Sequence, residues 1–298
     1  MIGLILALSA GLIWSSVNVI DKTIVSKYIK SPVFLITIFC VISGIVGLII
    51  LLFNSKSINL PALSLLILSA FSYASGVLCY FYAMKIEEPS RVVPLFALTN
   101  IFLVILSALF LKEVFNFITY IGIFLIIFGS VLINIRTSIL SALTSKALWF
   151  MTFGSLGYAV AYVINKHLLS DYSYWQVFGW QRLFIGIFGV LLALYLRRSI
   201  KEILLKIRIK YILVSSTAEI LNIFGSLLFI SASAVWYVAL VESVASVQYV
   251  FILLWAYILH KTKLSFYSEE INKSIIVQKF ISILLIILGI IVITKKFI

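Results

Sequence analysis

Ten apolar runs, each about as long as a bilayer is thick, alternate along this chain with short polar breaks. They lie at Ile2–Ile20, Pro32–Phe53, Pro61–Met84, Val92–Leu111, Phe117–Ile135, Ala147–Leu168, Tyr174–Leu196, Tyr211–Ser231, Val235–Leu259 and Ile275–Thr294. A helix needs about 20 apolar residues to cross the hydrocarbon layer, so each run predicts a membrane-spanning helix. The breaks are chemical. Asn54-Ser55-Lys56 ends the second run, Glu87-Glu88-Pro89 separates the third from the fourth, and Arg197-Arg198 ends the seventh. The longest connection, around His260 to Ser274, is too small for a catalytic domain.

The runs repeat. Leu12 to Tyr28 reads LIWSSVNVIDKTIVSKY, and Leu156 to Tyr172 reads LGYAVAYVINKHLLSDY. At an offset of 144, Val19, Ile20, Lys22, Ser26 and Tyr28 recur as Val163, Ile164, Lys166, Ser170 and Tyr172. Trp14 falls on Tyr158, Asn18 on Tyr162 and Asp21 on Asn165. Apolar chains match themselves by chance, but the polar positions of this shared tail argue for duplication. Further on, Gly76, Ala83 and Lys112 meet Gly225, Ala232 and Lys261 at offset 149, and Gly129 meets Gly289 at offset 160. Helices one to five therefore match helices six to ten, with halves at residues 1–140 and 141–298. An odd-numbered unit repeated in tandem enters the membrane from opposite sides. The expected fold is an all-α integral membrane protein of ten transmembrane helices as two inverted five-helix repeats, with function at their interface.

Composition agrees. The 298 residues are 63% hydrophobic and 11% charged, against about 45–50% and 25% in soluble domains. The net charge of +13 lies almost wholly in the connections, where anionic lipid and topology explain it without nucleic acid. With the termini on one side, that side holds 5 Lys/Arg and the other 17. The positive-inside rule then predicts both termini outside. Leu8-Ser9-Ala10 loosely resembles a signal cleavage site, but no basic residue precedes it, and the repeat needs this segment as a span. Cys40 and Cys79 lie inside apolar runs without CxxC or His neighbours, so neither disulfide nor metal is expected. No nucleotide-binding G-x-x-x-x-G-K-[ST], H-E-x-x-H or G-x-S-x-G occurs. Neither an enzyme nor a cofactor is expected.

Candidate chemistry is sparse enough to name. Arg182 stands mid-way along the seventh run, where an Arg costs about 2.5–3.5 kcal/mol to insert and demands an anionic partner. The candidates are Glu219, on one face with Asn222 and Ser226, and Glu242, on one face with Ser246 and Tyr249. A structural ion pair is one reading. The other gives Arg182 a substrate carboxylate and a Glu a cation or a proton, with the deeper Glu219 as the coupling site. Trp14 and Asn18, their counterparts Tyr158 and Tyr162, and Tyr73 and Tyr80 at i, i+7 supply aromatic and polar faces that can stack on or cage a cation. Asp21 shares the face of Trp14 and Asn18 at i, i+4 and i+7, with Asn165 as its counterpart; an ordinary helix-end cap is the other reading of both.

Ten helices as five plus five with short loops resemble the EamA-like branch of the drug/metabolite transporter superfamily. Similar signatures are Asn100 to Lys112-Glu113, Tyr120-Ile121-Gly122-Ile123 with Gly129, and Tyr80-Phe81-Tyr82-Ala83-Met84-Lys85. The chain departs where the family usually has Pro (Asn100) and Glu (Thr262). The resemblance implies alternating-access movement of small metabolites through a central cavity, and cytoplasmic termini against the charge count. The leading expectation is transport of an amino acid or similar zwitterion, with Arg182 on its carboxylate. A cationic, choline-like substrate and a non-transporting scramblase or scaffold are the alternatives. Expected partners are the substrate, membrane lipids and protons; monomer and homodimer both fit.

Overall fold

A computed structural model describes residues 2–54, 57–87, 89–134, 145–261 and 273–294. The expected boundary at 140/141, most of the connection after His260, and Thr262 fall outside them. Every described element is helical: α1 (Ile2–Thr23), α2 (Pro32–Phe53), α3 (Leu60–Ile86), α4 (Pro89–Val92), α5 (Ala97–Leu106), α6 (Phe117–Asn134), α7 (Lys146–Leu168), α8 (Tyr174–Tyr195), α9 (Arg197–Lys206), α10 (Ile209–Val235), α11 (Val238–Ala245), α12 (Gln248–Lys261) and α13 (Lys273–Thr294). Among the described residues, seven helical stretches are long and apolar enough to cross a membrane. Three shorter apolar stretches, Phe117–Gly129, Val238–Ile252 and Phe280–Ile293, fall on the fifth, ninth and tenth predicted runs.

Helix starts follow local chemistry. Ser31 and Asn59 accept the backbone N–H groups of Phe34 and Ala62, each followed by a proline that needs no partner for its nitrogen. Ser173 and Gln176 form a reciprocal capping box at the start of α8. Two helix ends are capped in the same way. Lys22 donates to the Met84 and Glu87 carbonyls at the end of α3. Its repeat counterpart Lys166 donates to Ser233 and Trp236 at the end of α10, which stand at the offset of 149 from Met84 and Glu87. A cation there satisfies carbonyls that the helix leaves orphaned and opposes the negative end of its dipole. Substituting either lysine by Met is expected to cost about 1.5–3 kcal/mol, because bonds from a charged donor are lost. Thermal unfolding of the two variants should give similar losses.

Packing pairs helices of residues 2–134 with helices of residues 145–294. α2 lies along α8, α3 along α7, α6 along α13 and α1 along α10. At the α2–α8 crossing, a Cβ on Gly44 would sit 2.6 Å from the Gly186 Cα, and one on Gly47 would sit 2.4 Å from the Leu183 nitrogen. Backbones in lipid gain attraction by such close approach, which only glycine permits here. Gly76 packs on Tyr158 as its counterpart Gly225 packs on Trp14.

Two predicted runs are not uniform α-helices. In the fourth, Pro94 has no N–H to give, and a 3₁₀ turn at Val93–Phe96 joins α4 to α5. In the ninth, the chain breaks at Ser246-Val247 between α11 and α12, where i→i−3 bonds such as Val247 N–H to Val244 O replace the α-helical ones. Ser246 Oγ also bonds the Glu242 carbonyl. Asn100 secures the break from α5, donating to Ser246 Oγ at 2.9 Å and accepting from Ser243 Oγ at 3.1 Å. The expected helix over Val235–Leu259 is thus corrected to two helices. The connection after Arg197-Arg198, expected as a loop, is helix α9.

Candidate functional site

Among α1, α3, α7, α10 and α11 lies a cavity of about 70 Å³. A single water needs about 10–15 Å³ on this measure, so the space suits a small organic molecule rather than a large one. Nine of the eleven candidate residues line it: Trp14, Asn18, Tyr73, Tyr80, Tyr158, Tyr162, Glu219, Asn222 and Glu242. They come from α1, α3, α7, α10 and α11. The polar side of the cavity is a connected network. The Tyr80 hydroxyl lies 2.9 Å from Asn18 Oδ1 and 3.1 Å from Asp21 Oδ2 and can donate to either. Asn18 Nδ2 donates to Gln248 Oε1 at 3.2 Å. Glu242 and Gln248 flank the break between α11 and α12, so an interrupted helix forms part of the wall. Irregular backbone at membrane depth is tolerated where protein buries it or where it lines a cavity.

The remaining wall is aromatic. Tyr73 meets Tyr158 edge-on with ring centres 5.2 Å apart, Phe96 bridges Tyr80 and Tyr158 at 5.6 Å from each, and Phe39 and Phe81 complete it. Among the described residues, the lining holds three carboxylates, Asp21, Glu219 and Glu242, and no Lys, Arg or His.

Arg182 and Tyr249 are elsewhere. Arg182 lines a second cavity of about 20 Å³, which shares Trp14, Tyr73 and Tyr162 with the first. Its guanidinium lies between the Tyr73 and Phe178 rings, 4.9 and 4.8 Å from their centres. It donates to Ser43 Oγ at 3.3 Å, and Ser43 in turn donates to Glu219 Oε1 at 2.9 Å. Arg182 and Glu219 are 4.0 Å apart. Asn222 donates to the other Glu219 oxygen at 3.1 Å. Both oxygens of Glu219 are therefore engaged by protein, whereas Oε2 of the buried Glu242 has no hydrogen-bond partner among the described residues. Tyr249 is fully buried among Val93, Ala97, Ile252 and Ile286. The structure adds Asp21, Gln248 and Ser215 to the lining and Ser43 to the network behind it. For Asp21 the signal in the sequence is the i, i+4, i+7 face that it shares with Trp14 and Asn18.

Residues 1–135 match the model of the EamA-like transporter family. The chain belongs to that family. EamA-like proteins are membrane transporters of the drug/metabolite transporter superfamily, and this member is a multi-pass membrane protein. It is 36% identical over 109 residues to the uncharacterized protein MJ1333.1 of Methanocaldococcus jannaschii, an alignment that spans 36% of this chain and 79% of that one. A crystal structure of another protein superimposes over 99% of this chain and 96% of its own with a TM-score of 0.66 at 16% identity, which establishes a shared fold.

Proposed function

We propose that this EamA-like protein is a secondary transporter that carries a small amine or quaternary ammonium ion by alternating access. The observation that carries this reading is the cavity lining: three carboxylates and a wall of aromatic rings, with no described basic side chain. Aromatic faces attract cations, most strongly where water is excluded. Glu242, with an unpartnered carboxylate oxygen, is the ammonium-binding group in this reading, with Asp21 across the network. The zwitterion reading needs Arg182 for a substrate carboxylate, but Arg182 does not line the main cavity, its Nη1 is engaged by Ser43 and Glu219 and its plane by two rings, which leaves Nε without a partner among the described residues.

Alternating access is supported by the pairing of α1 with α10 and α3 with α7, and by the recurring Lys22 and Lys166 caps. We read these as marks of two five-helix repeats of opposite orientation about a pseudo-two-fold axis. Rocking one against the other would expose the cavity alternately, with Trp14, Tyr73 and Tyr162 as the partition between its two parts. Glu219 remains the proposed proton site. Its substitution by Gln should abolish gradient-driven accumulation; because the change also leaves Arg182 without its carboxylate, exchange is compared per folded molecule and should survive there.

The test is thermal unfolding of purified protein against small monoamines, quaternary ammonium ions and neutral amino acids. Amines and ammonium ions should raise the unfolding temperature by a few degrees through mass action. Stabilisation by amino acids alone would return the site to the zwitterion.

A further inference from the structure

We propose that α9 is a membrane-surface helix that binds anionic phospholipid headgroups. Over residues 197–210 the chain places Arg197, Arg198, Lys201, Lys206, Arg208 and Lys210 against one acid, Glu202. None of α9 is buried, yet one side rests on the bundle: Ile200, Ile203 and Ile207 pack against the cluster that holds Ile24, Phe34 and Met84. Away from that contact, Leu204 and Leu205 stay 48% and 78% exposed.

The location selects the partner. α9 begins two residues after α8 ends at Tyr195, and α10 begins three residues after α9 ends at Lys206. The helix therefore sits where two spans leave the bilayer. Tyr211, at the start of α10, stacks on Tyr28 with ring centres 3.8 Å apart, and Lys210 lies over the Tyr211 ring at 4.9 Å. Aromatic and basic side chains together mark the headgroup level. There the exposed leucines reach acyl chains while the basic heads extend to phosphates. An acidic soluble protein would match the charge, but it would not explain a helix continuous with two membrane spans. The occupant with both the charge and the apolar layer is a leaflet rich in anionic lipid.

Leu205→Cys in the full-length chain, placed in lipid nanodiscs, tests this. The native thiols lie inside the α2 and α3 spans, and the unsubstituted chain sets the background. Labelling by a water-soluble maleimide should be about fivefold slower in discs with about 30% phosphatidylglycerol than in pure phosphatidylcholine, because anionic lipid draws the helix down. The gap should close in about 0.5 M salt, where such attraction is screened. It should also close when Arg197, Arg198, Lys201 and Lys206 are all replaced by Gln. Equal rates in the two lipids would overturn the proposal, as would a gap that survives charge removal. Slow labelling in every lipid and variant would mean that something other than headgroup charge covers α9, and would also overturn it.

Discussion

Replacing Arg182 by Gln is expected to destabilise the folded chain by about 3–5 kcal/mol, the cost of stranding one member of a buried ion pair. Arg182 is 1% exposed, and Glu219 is 4.0 Å away and 5% exposed. Without the guanidinium, Glu219 keeps Ser43 and Asn222 as donors but loses its nearby cation. Removing both charges together is a different matter, since apolar or neutral replacements of a whole buried pair are often tolerated. The double variant Arg182→Gln/Glu219→Gln should therefore recover much of the loss. Thermal unfolding of the two single variants and the double completes a cycle that reads the coupling directly. An Arg182→Gln variant as stable as the unsubstituted chain, but no longer stabilised by any ligand, would make Arg182 a substrate group.

Gly47→Ala should be about as damaging. The added Cβ would lie 2.4 Å from the Leu183 nitrogen, 2.8 Å from the Arg182 carbonyl carbon and 2.8 Å from the Gly179 oxygen. All three are backbone atoms, so no side chain can swing aside and α2 must move off α8. Overpacking costs about 1–3 kcal/mol even in adaptable cores, and this crossing also positions Arg182. We expect a loss at or above the top of that range. Gly3→Ala is the control: its Cβ would meet Trp236 Cβ at 3.4 Å, an ordinary contact, and should change stability by about 0.5 kcal/mol or less. Equal unfolding temperatures for Gly47→Ala and Gly3→Ala would contradict the packing described.

The elements that were legible in the sequence are those written in hydrophobic length and in polar punctuation. Ser31-Pro32 and Asn59-Leu60-Pro61 announce helix starts, and Lys22 and Lys166 stand out because a lysine is rare in such a stretch and recurs at a fixed spacing. What was not legible depends on tertiary contact. Nothing in Ser246-Val247 is a strong helix breaker, and the break there is held by Asn100 from another helix. α9 is not visible as an apolar run because Arg197, Arg198, Lys201, Glu202 and Lys206 interrupt its isoleucines and leucines. An arginine in mid-run demands an anionic partner, and Glu219 stands 4.0 Å away, but sequence position cannot say which of Glu219 and Glu242 it meets or on which side of an aromatic partition it lies. Asp21 carried the periodicity of the site face, and its place near the end of an apolar run outweighed that periodicity.

Transport of a small cation through the cavity that Glu242 and the aromatic wall enclose has a direct signature. The most direct measurement is counterflow in proteoliposomes preloaded with an unlabelled amine, following entry of the labelled one. The account expects transient accumulation with the unsubstituted protein. It also expects a loss of about tenfold or more with Glu242→Gln, as befits removal of a charged contact worth about 1.5–3 kcal/mol, at a near-normal unfolding temperature. Folded protein that exchanges no amine, or a Glu242→Gln variant that exchanges amine at the original rate, would contradict it.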